Sequence, residues 1–134
     1  MKTTIFTVLG LLVFSSNIFA QSVQPEDLAQ QQLDAYNKRD IDAFIAPYSD
    51  SVKVYNFPQQ LMFTGKHIMK EQYGKMFEQA VDLHCTLVNR MVEGNTVIDQ
   101  ESVVFQKGSP PAKVFAVYKI KDNKIAEVYF IRPD

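Results

Sequence analysis

Residues 81–106 read "VDLHCTLVNRMVEGNTVIDQESVVFQ", and they decide the fold. Two runs rich in β-branched residues flank the turn signal Glu93–Gly94–Asn95, so they are expected to fold back on each other as antiparallel strands. Two more runs of the same kind follow: "AKVFAVYKI" (112–120) and "KIAEVYFIR" (124–132). Lys107–Gly108–Ser109–Pro110–Pro111 and Asp122–Asn123 separate them, which predicts an antiparallel meander. Inside it, Asp99 and Glu101 stand two residues apart. On a strand they point the same way, roughly 6.5–7 Å from each other, with Val97, Val103 and Phe105 on the same side. An apolar face bearing two carboxylates is either wetted by solvent or turned into a pocket.

Upstream of Val81 the signals are helical. Pro25 followed by Glu26 and Asp27 marks a helix start, with proline at the first position and acids in the first turn. Leu28, Gln32, Ala35 and Tyr36 then share one face, with Leu33 beside it. Asp40 is suited to cap a short helix through Ile41, Phe44 and Ile45, which ends at Pro47. "SVKVYNF" (51–57) alternates like a strand and stops at Pro58. After Gly65, "KHIMKEQYGKMFEQA" (66–80) predicts a third helix, with Ile68, Gln72 or Tyr73, and Met76 or Phe77 on its inner side. Helices first and strands after indicate an α+β domain.

The first twenty residues, "MKTTIFTVLGLLVFSSNIFA", follow the grammar of a secretory signal peptide. A lysine near the start precedes an apolar run too short to span a bilayer, and Ala20 closes a small-residue cleavage site. Cleavage there leaves one domain, residues 21–134, in the periplasm or secreted, with no membrane insertion. A net charge of −1 and the lack of a basic stripe argue against a nucleic-acid partner. The single Cys85 excludes an intrachain disulfide and is expected to be a small buried hydrophobe. His67 and His84 have no ligand-like spacing to an acid or cysteine, so neither a metal nor another cofactor is expected. Were His84 on the pocket side of its strand, it would be the leading general base.

The order helix, helix, strand, helix and meander resembles the nuclear transport factor 2-like superfamily, which includes SnoaL-like polyketide cyclases and ketosteroid isomerases. The stretches that carry the resemblance are "AYNKRDIDAFIAPYSDSVKVYNFP" (35–58), "FTGKHIMKEQYGKMF" (63–77), "LHCTLVNRMVEGNTVIDQE" (83–101) and "VYKIKDNKIAEVYFIR" (117–132). The resemblance implies a cone formed by three helices packed on a curved sheet. It places Asp99 and Glu101 on the concave side, with Asn56, Tyr118, Phe130 and Arg132 inward and Gln32 and Tyr36 above them. The isomerases use an aspartate base, an oxyanion tyrosine and a protonated aspartate. The matching positions here are Asn56, Gln32 and Ala116, so that mechanism is not expected. Tyr73 matches a supporting tyrosine of the same enzymes.

Two carboxylates in a poorly hydrated cone cannot both ionise cheaply, so one is expected to act as acid and the other as base. The expected site is therefore Asp99 and Glu101 for catalysis, with Gln32, Tyr36, Asn56, Tyr73, Tyr118, Phe130 and Arg132 binding a small organic ligand. Arg132 either neutralises one acid or sits in water. The uncovered sheet face suggests a homodimer. The alternative is a non-catalytic envelope module that holds a protein partner.

Overall fold

A six-stranded sheet, rather than the five strands read from the sequence, forms the body of a computed structural model that describes residues 22–133. The proposed signal peptide lies outside the described residues. The elements run α1 (Pro25–Lys38), α2 (Ile41–Ile45), β1 (Tyr48–Asn56), β2 (Gln60–Thr64), α3 (Lys66–Gln79), β3 (His84–Glu93), β4 (Thr96–Val104), β5 (Ala112–Lys121) and β6 (Lys124–Ile131). The sheet order is β2-β1-β6-β5-β4-β3. All neighbours are antiparallel except β1 and β6, which makes the sheet mixed.

Helix α1 starts at Pro25 with Glu26 and Asp27 in its first turn, and it ends where Arg39 turns left-handed at φ 53°. Its buried face is Leu28, Ala29, Gln32, Leu33 and Ala35. The Asp40 side chain accepts from the Ala43 N–H at 3.1 Å and so caps α2. The unforeseen strand is β2. It is a five-residue edge strand with only Phe63 buried, so it lacks the alternation that marks a half-buried strand.

Two local features of the meander set where side chains point. Asp122 and Asn123 both take left-handed backbone, φ 51° and 57°, as a tight two-residue hairpin turn requires. In β3, Leu87 lies opposite Glu101 while Asn89 lies opposite Gln100, so Val88 is an extra residue. This bulge exchanges the faces of everything between Val88 and the turn. Cys85 and Leu87 face the helices before it, and Arg90 faces them after it.

Phe44, Met69, Val52, Val54, Val97, Ile125 and Val128 are fully buried between helices and sheet. Burial of side chains this size is worth about 1.5–3 kcal/mol each. Phe44 packs its ring against Tyr36, Tyr48, Tyr73 and Phe77 at centroid distances of 4.6–5.9 Å. Among the described residues, no helix covers the opposite face of the sheet. There Tyr55 and Tyr129 stack at 4.7 Å, and Val88, Met91 and Phe115 are exposed.

Candidate functional site

A cavity of about 330 Å³ opens between the sheet and helices α1 and α3. β4 contributes Glu101 to its wall, and β5 and β6 contribute Tyr118 and Phe130. From the helices come Gln32 and Tyr36 on α1 and Tyr73 on α3. Among the described residues, Glu101 is the one acid and Arg132 the one cation on this wall.

The polar groups at the closed end form a chain of hydrogen bonds. Tyr48 Oη donates to Gln32 Oε1 at 3.2 Å, and Gln32 Nε2 donates to Tyr118 Oη at 3.0 Å. Tyr118 Oη in turn donates to Glu101 Oε1 at 3.2 Å. Gln32 Nε2 also reaches the Ala29 carbonyl at 3.0 Å. All four side chains are buried, and each bond satisfies a group that would otherwise be stranded.

Burial and then the nearby Asp99 charge push the Glu101 carboxyl up to about 7. Hydrogen bonds from Tyr118 and Cys85 and the Arg90 charge pull the other way and only partly offset this. Burial and the Glu101 charge raise the Cys85 thiol well above its ordinary range. The Tyr36 and Tyr73 hydroxyls are raised too, first by burial. Neither hydroxyl is bonded to another side chain among the described residues, and both residues line the cavity.

Asp99 occupies a different environment from its neighbour. It is fully buried behind the cavity wall, and Arg90 grips it with Nε to Oδ1 at 2.7 Å and Nη2 to Oδ2 at 2.8 Å. Arg90 Nη1 also donates to Gln30 Oε1 at 2.9 Å, which ties the pair to α1. The two acids share the inner face, yet only Glu101 reaches the cavity. Of the two readings of Arg132, neutralising this acid is not the one found: Arg90, opposite Asp99 in the register that runs from the Gly94–Asn95 turn, fills that place.

Other expected site residues divide in two. Gln32 and Tyr118 line the cavity with their polar atoms already engaged inside the protein, and Phe130 contributes an apolar wall. Asn56 lies outside the lining and accepts a hydrogen bond from Arg132 Nη1 at 3.0 Å. His84 is exposed and faces away from the helices, since its neighbour Cys85 is the inward residue. The condition under which it would serve as a general base in the cavity, a place on the pocket side of β3, is not met.

Arg90, Tyr48 and Cys85 were not foreseen as site residues. A signal for Arg90 existed: counting outward from the Gly94–Asn95 turn pairs Glu93 with Thr96 and Arg90 with Asp99. An oppositely charged pair at matched cross-strand positions is an interaction the register alone predicts. Among the described residues no group of three or more His, Cys, Asp or Glu could hold a metal ion.

The SnoaL-like domain family matches residues 29–128. No curated protein sequence matches the chain. Among solved structures, an uncharacterized cystatin-fold protein from Novosphingobium aromaticivorans is 25% identical with a TM-score of 0.75, covering 82% of this chain and 99% of that one. An NTF2-like protein from Cytophaga hutchinsonii is 14% identical, with a TM-score of 0.70 and coverage of 85% and 94%. A proposed ketosteroid isomerase from Kribbella flavida is 18% identical, with a TM-score of 0.69 and coverage of 82% and 78%. The α+β cone with three helices on a curved mixed sheet is the architecture shared with these structures.

Proposed function

Because the chain belongs to the SnoaL-like domain family, we propose that it binds a small organic ligand in its cone and uses Glu101 for acid–base chemistry on it. The observation that carries this reading is Glu101 itself, a carboxyl 6% exposed, on the wall of a 330 Å³ cavity, ionising near 7. A group with that pKa is populated in both forms at neutral pH, which suits proton transfer in either direction. The volume is in the range of pockets that hold small organic molecules.

The step follows from the groups present. Ionised Glu101 removes a proton from the carbon beside a carbonyl, and the electron pair left behind moves onto the carbonyl oxygen. The Tyr36 or Tyr73 hydroxyl donates a hydrogen bond to that oxygen, and Glu101 returns its proton to carbon. Asp99 is not the second catalyst here. It is held by Arg90, and its charge is the second cause, after burial, that raises the Glu101 carboxyl. The Kribbella protein is described as an isomerase of ketosteroids; this chain differs at the positions that resemble that chemistry, with Gln32, Asn56 and Ala116.

Proton NMR in deuterated water tests the proposal on a panel of small ketones and keto acids. Loss of the signal beside the carbonyl with the wild type, and its persistence with Glu101→Gln, supports the reading. No exchange for any compound, with no small molecule carried by the purified protein in native mass spectrometry, would sink it.

The exposed apolar residues on the outer sheet face favour an interaction there, with a second copy as the occupant that completes a homodimer. A non-catalytic module acting through that face is the competing reading, and it predicts that Glu101→Gln leaves the biological role intact. We also propose that residues 1–20 direct export and are removed near Ala20. N-terminal sequencing of the protein recovered outside the cytoplasm checks this.

A further inference from the structure

The one cation of the cavity wall is not neutralised by any acid among the described residues. Arg132 makes no ion pair there, and its recorded side-chain hydrogen bond goes to the Asn56 amide oxygen at 3.0 Å. Asn56 is held in turn by a 3.4 Å contact from its Nδ2 to Gln60 Oε1. The guanidinium is therefore placed by β1 and β2 while most of its N–H donors stay available. Arg132 is exposed and Glu101 is buried, so the two charged groups occupy the mouth and the closed end of one cavity. They form no ion pair with each other.

Between the two ends the walls are apolar and aromatic. Phe63 and Phe130 contribute rings, Val103 and Val114 contribute aliphatic surface, and Tyr36 and Tyr73 contribute rings with hydroxyls free to bond a ligand. A ligand that satisfies all three zones has an anionic end at the mouth, a flat apolar body and an oxygen at the far end. A guanidinium fork matches the two oxygens of a carboxylate better than any neutral group.

We propose that the cone selects small carboxylic acids with a flat apolar body, the carboxylate held by Arg132 and a carbonyl or hydroxyl oxygen presented to the Tyr36 and Tyr73 hydroxyls beside Glu101. This rests on the ligand-binding reading above and adds the chemical class. Overall attraction of anions does not account for such a preference, since the chain's own net charge is −1. The preference arises at Arg132.

Matched pairs that differ only in charge test it. The probes are para-acetylbenzoate against para-acetylbenzamide, and two-ring acids against their primary amides, titrated calorimetrically into the wild type, Arg132→Gln and Arg132→Lys. The expected result is an acid bound at least about ten-fold more tightly than its amide by the wild type. In Arg132→Gln the preference should fall to within about two-fold while amide affinity is unchanged, and Arg132→Lys should restore part of it. Equal binding of acid and amide by the wild type overturns the carboxylate class and leaves the ligand-binding reading standing. A preference that survives in Arg132→Gln overturns the role of Arg132. Binding of no member of any pair overturns the carboxylate proposal together with the reading beneath it.

Discussion

Arg90 and Asp99 lie directly opposite each other on β3 and β4, joined by two hydrogen bonds of 2.7 and 2.8 Å. One extra residue in β3 makes this pairing and the inward Cys85 compatible on a single strand. The consequence is a division of labour between two acids on one face. Asp99 is sealed by a guanidinium, and Glu101 is left to titrate in the cavity.

Removing the guanidinium should therefore cost more than a surface ion pair would. Arg90→Met leaves the fully buried Asp99 without a partner, for which a loss of about 3–5 kcal/mol is expected. Arg90→Met combined with Asp99→Val removes the charge as well and should recover most of that loss. Urea unfolding of the three variants beside the wild type measures both. A double variant as unstable as the single one would show that packing, not charge, dominates at this position.

The pH dependence of stability follows from Glu101 with a definite sign. Its carboxyl ionises near 4.5 in the unfolded chain and near 7 in the fold. A raised carboxyl pKa means that its contribution is fully present below about 4.5 and is lost as the pH rises through 7. The size is roughly 3 kcal/mol. Glu101→Gln cannot ionise, so it should match the wild type near pH 4.5 and exceed it in stability at pH 8. Urea midpoints for both proteins at those two pH values give the comparison. The groups facing Glu101 (Asp99, Arg90, Tyr118 and Cys85) are unchanged between them, so the difference isolates this carboxyl.

Cys85 reports on the same charge from a different side. Burial raises its thiol first and the Glu101 charge second, and the thiol donates to the Glu101 carboxylate. The thiolate is the reactive form, so alkylation of the native protein at pH 8 should be much slower than that of a free cysteine. Glu101→Gln removes the repelling charge and should accelerate labelling by several-fold, with stability unimpaired. Iodoacetamide labelling followed by intact-mass measurement reads the rate. An unchanged or slower rate in the variant would separate Cys85 from Glu101 and weaken the picture of a charged carboxylate at the closed end.

How far the sequence foretold this arrangement depended on whether a feature was local. Asp40 as a cap, Pro25 as a helix start and the turns and β-rich runs of the four-strand meander are all signalled within a few residues, and the structure has each of them. That Asp99 and Glu101 share a face was equally legible, since β4 is a regular strand along its whole length; that this face is the inner one came only with the resemblance. What stayed hidden was set by non-local geometry. The Val88 bulge brings Cys85 onto the same face as Arg90, and no residue around Val88 announces it. β2 has one buried side chain, so periodicity passes over it. The resemblance puts Gln32 above the pocket, where the structure has it; that its amide is consumed by Tyr48 and Tyr118 follows only once β1 and β5 are in place.

The outer face of the sheet makes the last prediction. Phe115 on β5 is 38% exposed, Val88 on β3 54% and Met91 57%, beside the stacked Tyr55 and Tyr129. A second copy covering this face would bury these side chains at about 25 cal/mol for each Å² of apolar surface removed from water. The reading of a homodimer therefore predicts a dimeric mass in sedimentation equilibrium at micromolar concentration. Phe115→Asp places a charge in the middle of the covered surface and should shift the protein to monomer. Phe115 is absent from the cavity lining, so ligand binding in the cone should persist in the variant. A wild type that sediments as a monomer would instead leave the face for a different protein, the outcome that the non-catalytic reading requires.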